Sequence, residues 1–451
     1  MGKLFGSDGI YGVVNADITC ELVYRLGQAL AKVLEDENGR KAKVYIGKDT
    51  RISSDMLECS MAAGLSSAGA RVGLLGYIPT PAVAYIAEKH GADASVVISA
   101  SSNPVEFNAI KILDSKGTKL SEVFEKRLEK LVSSKKGIEL SVGMDIGRIY
   151  RFDDAAKEYS EHIKNTVLGD LSGMRILVDC ANGSTYRCAP MILEGLDAEF
   201  DIINASPDGK NINSDCGTSR LEKLRSAVAA GKYDVGIAFD GDGVLCLATD
   251  EKGDVIDGNR ITALCAKSLN ARGKLPHKTF VIASESNLGI YAYAKENGIF
   301  AEGVDIKKNT ISEFMSENGY ALGGEVSGHV IFKEFSKESD GELTAVQFLS
   351  ALKEFGKKTS EALSEVRNYP QIKINVKVPD DLKEDVLDAW HTKKALHKAE
   401  EKLGEDGRVY ILVSESEPVL SVVAEGKNSR DVSSVAGEIA DAIAKVVKLK
   451  K

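Results

Sequence analysis

Asp240 and Asp242 stand two residues apart in Ile237-Ala-Phe-Asp-Gly-Asp-Gly-Val-Leu-Cys246, where an apolar run feeds a glycine-spaced turn. Alternate carboxylates in such a turn can point at one hard cation, and Mg²⁺ takes oxygen ligands of this kind. The same residues also fit an Asp-Gly turn capped by its own side chains. The alternation stops at its next place, because residue 244 is Val and residue 245 is Leu. Ser101 lies in Ser99-Ala-Ser-Ser-Asn-Pro104, where Asn103 and Pro104 set a turn after an apolar strand. A serine there is placed to be exposed and phosphorylated; the commoner alternative is a turn hydroxyl that bonds only backbone. Glu325 and Ser327 lie in Gly324-Glu-Val-Ser-Gly-His329. Two residues apart in an extended loop, a carboxylate and a hydroxyl project to one side and suit the paired hydroxyls of a ligand. A glycine-flanked structural turn is the other reading of that stretch.

The elements that must position these residues alternate along the chain. Lys43-Val-Tyr-Ile46 reads as a strand, the stretch from Met56 to Ala68 as a helix, and Val72-Gly-Leu-Leu75 as the next strand. Ser95-Val-Val-Ile98 leads into the Ser101 turn, Arg175-Ile-Leu-Val178 into Asp179-Cys-Ala-Asn-Gly183, and Asp234-Val-Gly-Ile-Ala-Phe239 into the carboxylate turn. Thr279-Phe-Val-Ile-Ala283 repeats the theme. Such alternation predicts layered α/β units with functional loops at the carboxyl ends of the strands. The last part differs. Tyr369 to Val378 alternates like a half-exposed strand, Arg408 to Val413 and Leu420 to Ala424 read as two more, and a helix runs to about Val447. That is an α+β module. Boundaries fall near 150, 255 and 367, which divides the chain into 1–150, 151–255, 256–367 and 368–451.

A chain of 451 residues, 43% hydrophobic and 28% charged, is long enough for several cores. Its net charge of −9 argues against nucleic-acid or anionic-membrane partners. Lys445, Lys448, Lys450 and Lys451 read as a solvated end rather than a binding arm. No apolar run reaches the ~20 residues needed to span a bilayer. The opening Met1-Gly-Lys-Leu-Phe-Gly-Ser-Asp-Gly-Ile carries charge and glycine where a signal peptide needs an apolar stretch. Seven cysteines without a Cys-x-x-Cys pair or a His-rich cluster predict neither a disulfide framework nor a zinc site. A cytoplasmic protein is the expectation.

The chain resembles the α-D-phosphohexomutases, whose metal loop reads Asp-Gly-Asp-(Gly/Ala)-Asp-Arg, and within them the bacterial phosphoglucosamine mutases. Leu4-Phe-Gly-Ser-Asp-Gly-Ile10, Ile46-Gly-Lys-Asp-Thr-Arg51, Ile78-Pro-Thr-Pro-Ala82 and Ile98-Ser-Ala-Ser101 carry the likeness at the amino-terminal end. Val178-Asp-Cys-Ala-Asn-Gly183, Pro207-Asp-Gly-Lys-Asn-Ile-Asn213, Ser286-Asn-Leu-Gly289, Gly324-Glu-Val-Ser-Gly-His329 and Tyr369-Pro-Gln371 carry it onward in order. The Ser-Asn-Leu-Gly and Tyr-Pro-Gln stretches favour the glucosamine branch. The resemblance implies three layered α/β domains plus a smaller C-terminal α+β domain around a central cleft. The four segments would hold, in turn, a phosphoserine loop, a metal loop, a sugar-binding loop and a phosphate-binding loop. It implies transfer of a phosphoryl group between O6 and O1 of a hexosamine through a phosphoserine at Ser101 and a bisphosphate intermediate. Mg²⁺ would be held by the serine phosphate, Asp240 and Asp242. Glu325, Ser327 and His329 would face the sugar, and Ser414 and Ser416 the distal phosphate.

Several positions depart from that pattern, and most of the departures remove charge from where phosphate would lie. Tyr11 stands where the family has an arginine, and Ser102 where it has the histidine after the phosphoserine. Val244 replaces the third metal aspartate and Leu245 the arginine beside it. Asp305 takes the place of a lysine, with Lys307 and Lys308 close by. The family's Arg-Pro-Ser-Gly-Thr-Glu-Pro-x-x-Arg corresponds to Leu412-Val-Ser-Glu-Ser-Glu-Pro-Val-Leu-Ser421, so Leu412 and Ser421 replace arginines and Glu415 replaces a glycine. A carboxylate beside a dianionic phosphate reverses the sign of the local field. A weakened Mg²⁺ site and impaired mutase turnover are therefore expected, with a non-catalytic sugar-phosphate-binding or regulatory paralogue as the alternative. The expected ligand is a hexosamine phosphate or another sugar phosphate, with no nucleic acid and no membrane. A homodimer, or pairing with an active paralogue, stays open.

Overall fold

The computed structural model describes residues 4–6, 9–134, 136–414 and 417–450. The chain forms two compact units, one of Met1–Ser284 with Glu302–Ser364 and one of Glu285–Ala301 with Glu365–Lys451. It carries three α/β domains and a small C-terminal α+β domain, the architecture that the alternating pattern predicts.

The first unit opens with a six-stranded sheet. Lys43–Lys48 runs parallel to Arg71–Tyr77 on one side and to Ala94–Ile98 on the other. Phe107–Asp114 and Ile10–Val13 extend it antiparallel at one edge. Val44, Ile46, Val72, Val96 and Ile98 are all fully buried, as parallel strands covered on both faces require. Helices Cys20–Asn38 and Ile52–Ser67 form part of that cover, and Thr19 caps the first by accepting the Leu22 N–H. The Ser101 turn leaves the carboxyl end of Ala94–Ile98.

In the middle sheet, Arg175–Asp179 lies parallel to both Glu199–Ile203 and Val235–Phe239. Val235–Phe239 then pairs antiparallel with Cys246–Asp250, so residues 240–245 form the connection of a hairpin. The third sheet sets Leu322–Gly324 parallel to Thr279–Ala283 and antiparallel to Val330–Phe332. Residues 325–329 are its hairpin tip. Both acidic motifs thus sit on turns anchored by strand pairs. Among the described residues no helix is long and apolar enough to cross a membrane.

The second unit is a three-stranded antiparallel sheet in the order Gln371–Lys377, Val419–Gly426, Gly407–Val413. Helices Trp390–Leu403 and Ser429–Lys450 pack with it around Leu420, Val422, Ala424, Val435 and Ile439. The strands follow the expected alternation. Trp390–Leu403 has only Thr392, Ala399 and Leu403 buried among its lysines and glutamates, too sparse a stripe to read as a core helix from sequence.

Glu285–Ala301 belongs to this second unit, which differs from a single cut near residue 367. A buried carboxylate explains why. Glu425 has no exposed surface and must be satisfied. It accepts the Leu288 N–H at 2.9 Å and the Arg408 Nε–H at 3.0 Å, while Arg408 also donates to the Ser286 carbonyl at 2.5 Å. Asn287 completes the clasp: its Oδ1 accepts the Tyr369 N–H at 2.8 Å and its Nδ2 donates to the Tyr369 carbonyl at 3.0 Å. The Ser-Asn-Leu-Gly and Tyr-Pro-Gln stretches are therefore one structural joint.

At Gly289 an added Cβ would fall 1.6 Å from the Arg367 carbonyl oxygen, a backbone atom that cannot step aside. Gly289→Ala should destabilise the second unit by ~2 kcal/mol or more, read as a lower urea midpoint. The control Gly437→Ala, in a helix where a Cβ meets nothing, should stabilise by up to ~1 kcal/mol.

Candidate active site

Ser101 is held in a left-handed conformation, φ +52°, which a non-glycine residue adopts only when its surroundings impose it. The surroundings are Asp49 and Arg51. Arg51 has no exposed surface and is paired with Asp49. Its Nε donates to the Phe107 carbonyl at 2.9 Å, and its Nη2 donates to the carbonyls of Ser101 at 3.1 Å and Asn103 at 2.5 Å. Asp49 also accepts the Ser99 hydroxyl at 2.6 Å, and Ser99 Oγ accepts the Ser101 N–H at 3.0 Å. Asn213 Nδ2 donates to the same Ser101 carbonyl at 2.8 Å. The turn is clamped from two domains.

The Ser101 hydroxyl donates to Asp240 Oδ2. The other Asp240 oxygen accepts the Leu245 N–H at 2.9 Å. Gly241 allows this approach, since a Cβ there would lie 2.7 Å from the Ser101 carbonyl oxygen. Asp242 Oδ2 accepts Thr80 Oγ1 at 2.8 Å and Lys111 Nζ at 2.9 Å, while Asp242 Oδ1 is buried without a hydrogen-bond partner. Burial and the neighbouring Asp242 charge push the Asp240 carboxyl well above the usual range. Burial works against Asp242 ionising too, but the Lys111 charge and the hydrogen bonds from Lys111 and Thr80 outweigh it and hold Asp242 down at about 2. The pair keeps its negative charge on Asp242, beside the ammonium. Among the described residues no group of three or more His, Cys, Asp or Glu is gathered that could hold a metal ion.

A cleft of about 1450 Å³ in the first unit is lined by Tyr11, Ser101, Ser102, Lys111, Val244, Leu245, Glu325 and His329, among others, with Asp240 and Asp242 buried beneath it. Tyr11 stacks on Phe107 at 5.3 Å and its hydroxyl donates to Asn103 Oδ1 at 3.2 Å. The Val244 carbonyl accepts the Ser339 hydroxyl at 2.8 Å. At the hairpin tip Glu325 N–H bonds the His329 carbonyl at 2.8 Å, and Glu325 and His329 face the cleft while Ser327 is exposed and does not line it. Burial, with Lys111 nearby, lowers His329 to about 4, so the imidazole is neutral at pH 7. Asp305 is bonded by the Lys307 N–H at 3.1 Å and paired with Lys308 at 3.3 Å, which ties Lys308 to its own loop.

In the second unit Leu412 and Ser421 are direct cross-strand partners. Ser421 is buried and donates to Asn375 Oδ1 at 2.8 Å; Leu412 is 37% exposed. Ser414 Oγ accepts the Glu417 N–H at 3.1 Å. Lys383, nearly buried, lies beneath this loop and donates to the carbonyls of Ser414 at 2.5 Å and Glu417 at 2.8 Å. Glu415 and Ser416 lie outside the described residues.

Comparison with known proteins now bears on the site. The phosphoglucomutase/phosphomannomutase alpha/beta/alpha domains I, II and III match residues 2–138, 157–253 and 257–369. The phosphoglucosamine mutase of Acetivibrio thermocellus is 44% identical over 444 residues, covering 98% of this chain and 99% of that one. That of Caldicellulosiruptor bescii is 43% identical over 446 residues, covering 98% and 99%. The chain belongs to the phosphoglucosamine mutase family. Solved structures agree on the fold. A phosphoglucomutase/phosphomannomutase family protein from Burkholderia thailandensis superposes with a TM-score of 0.79 at 21% identity, covering 99% of this chain and 98% of that one. The N-acetylphosphoglucosamine mutase of Aspergillus fumigatus, solved with GlcNAc-6P and magnesium, gives 0.64 at 14% identity, covering 98% and 96%.

For a phosphoglucosamine mutase family chain, whose family reaction interconverts glucosamine 6-phosphate and glucosamine 1-phosphate, the residues that sequence reasoning missed are mostly cations. Lys111 carries a visible signal, a lone charge in the apolar run Ala109-Ile110-Lys111-Ile112-Leu113. Arg51 sits in a recognised motif whose role as a clamp is not legible there. Lys383 gives no signal among the charges around it.

His329 yields a pH test. Unfolded, its imidazole takes a proton below about 6.5; folded, it resists until about 4. The unfolded chain therefore binds more protons between those values, and stability is lost as pH falls through them. Urea unfolding of the native chain and His329→Gln at pH 7 and pH 4.5 should show the native chain losing up to ~2–3 kcal/mol more than the variant.

Proposed function

We propose that this chain binds a hexosamine phosphate in the cleft and passes a phosphoryl group through Ser101 between O6 and O1. Turnover falls well below that of a family member whose loops keep their cations. The observation that carries the reading is the Ser101–Asp240 hydrogen bond on a turn clamped by Arg51. When Ser101 is phosphorylated, the phosphorus–oxygen bond to serine breaks as one to the sugar hydroxyl forms, and the proton of that hydroxyl passes to the departing serine oxygen. On return, Ser101 attacks the sugar phosphate, its hydroxyl proton passes to the departing sugar oxygen, and Asp240, in hydrogen-bond reach, orients that hydroxyl. Lys111 sets positive charge beside the pair, and Glu325 and His329 face the same cleft, where they would bond sugar hydroxyls.

Asp240, Asp242 with its unpartnered Oδ1, and the oxygens of a phosphorylated Ser101 form a hard anionic donor set that fits Mg²⁺. Such an ion, when bound, neutralises charge on the moving phosphoryl group. Val244 cannot ligate it and Leu245 supplies no cation, so the site is weak. A second reading, a non-catalytic binder of sugar phosphates or partner of an active enzyme, is favoured by Leu412 and Ser421. They place an alkyl group and a buried hydroxyl opposite one another where the family has arginines. Bidentate guanidinium–phosphate pairs are the strong ones, and these positions cannot make them.

A coupled assay with glucosamine 6-phosphate, Mg²⁺ and a bisphosphate activator should give turnover at least ~10²-fold below a fully charged relative measured alongside. Val244→Asp with Leu245→Arg repairs one loop, and Leu412→Arg with Glu415→Gly and Ser421→Arg repairs the other. Either repair alone should recover little, and both together more than the product of the two, because groups acting on one bound substrate are not additive. A native chain that turns over as fast as its relative contradicts the impairment. A fully repaired, folded, Ser101-phosphorylated chain without activity favours the binder.

A further inference from the structure

The carboxylate pair has a resident cation. Lys111 projects from Phe107–Asp114, the sheet strand that follows the Ser101 turn, and its Nζ lies 2.9 Å from Asp242 Oδ2. The Asp242 side chain is 1% exposed and that of Lys111 22%, so the pair is shielded from water on the aspartate side. Three of the four carboxylate oxygens of Asp240 and Asp242 already take donors from the protein: the Leu245 N–H, the Ser101 hydroxyl, and Thr80 with Lys111 together. Only Asp242 Oδ1 is left over. Val244 adds no third carboxylate to tip the balance toward a divalent ion.

We propose that Lys111 is an internal counter-ion that competes with a divalent cation for Asp242, so that the chain takes up metal only after Ser101 is phosphorylated. The inference rests on the reading of Asp240 and Asp242 as the metal carboxylates. An ammonium and a divalent ion on one buried carboxylate repel each other, and the repulsion is strong where water does not screen it. A phosphate on Ser101 adds between about 1.5 and 2 negative charges beside Asp240. It gives the ammonium a second anion to bond and the metal further oxygen ligands. Both cations then have partners. In the unphosphorylated chain they share one aspartate, and the tethered one is always present.

Mn²⁺ serves as the probe. Its free-ion electron paramagnetic resonance signal is titrated against full-length protein shown by mass to be unphosphorylated. Lys111→Met should bind Mn²⁺ ~10-fold or more tightly than the native chain, and Lys111→Arg, which keeps the charge, should bind no more tightly than native. Adding Asp242→Asn to Lys111→Met should abolish the gain. Should Lys111→Met fail to fold, Lys111→Gln carries the same comparison. The double variant Val244→Asp, Lys111→Met separates the two layers. If it binds Mn²⁺ while Lys111→Met binds no better than native, the competition is overturned and the metal reading stands. If neither binds, the metal reading fails and takes the competition with it. Tight Mn²⁺ binding by the native unphosphorylated chain also overturns the proposal.

Discussion

A guanidinium with no exposed surface lies under the Ser101 turn, and the shape of that turn follows from how its charge and its N–H groups are used. Asp49 neutralises Arg51, and the carbonyls of Ser101, Asn103 and Phe107 take the rest of the fork. Removing one partner from a buried pair typically costs ~3–5 kcal/mol, because the survivor is left charged without water. The left-handed backbone at Ser101 is therefore imposed by a strong constraint and not by local preference. With the carbonyls turned down onto Arg51, the hydroxyl is turned toward Asp240. The glycine between the two aspartates is what lets the second loop come close enough to receive it.

Local signals made part of this legible. Continuous β-branched runs gave strands whose observed extents, such as Lys43–Lys48 and Ala94–Ile98, overlap the predicted ones. Asn103 and Pro104 marked the turn that carries Ser101, and glycine spacing marked the carboxylate loop. What stayed hidden depends on partners far away in sequence. Lys111 and Asp242 are 131 residues apart, and a lone charge in an apolar strand says only that a partner exists. Glu425 binds the backbone of Leu288 across 137 residues. No composition shift near 285 reports that this segment leaves one core for another. Ser327 shows the converse: its two-residue spacing from Glu325 is right for an extended loop, but the tip is a tight turn closed by the Glu325–His329 backbone bond, and Ser327 is exposed.

Tyr11, Val244 and Ser421, three of the positions proposed to depart from the family pattern, each have a partner in the structure. Tyr11 has a stacking partner in Phe107, Ser421 a hydrogen-bond partner in Asn375, and the Val244 backbone a partner in Ser339. Phenol, hydroxyl and alkyl groups need no counter-ion, so each replacement is compatible with an intact fold. The register of the strands on either side rests on backbone pairing and not on charge at these positions. Fold and charge inventory are separable in this chain.

That separation has a consequence for any phosphate that enters. Within the first unit, Lys308 is paired with Asp305, Lys337 with Glu88 and Lys111 with Asp242. Asp305 and Glu88 are exposed and can be released at little cost, but Asp242 is buried, and a released carboxylate that stays buried is costly. An arginine held out toward the ligand would have no such exchange to make. For Lys111, anion binding is thus a swap of ion pairs, favourable where the incoming anion carries more charge than the carboxylate it displaces. A phosphate dianion meets that condition against a single aspartate; a neutral sugar cannot. An anion that takes Lys111 therefore needs the charge of a phosphate to displace Asp242.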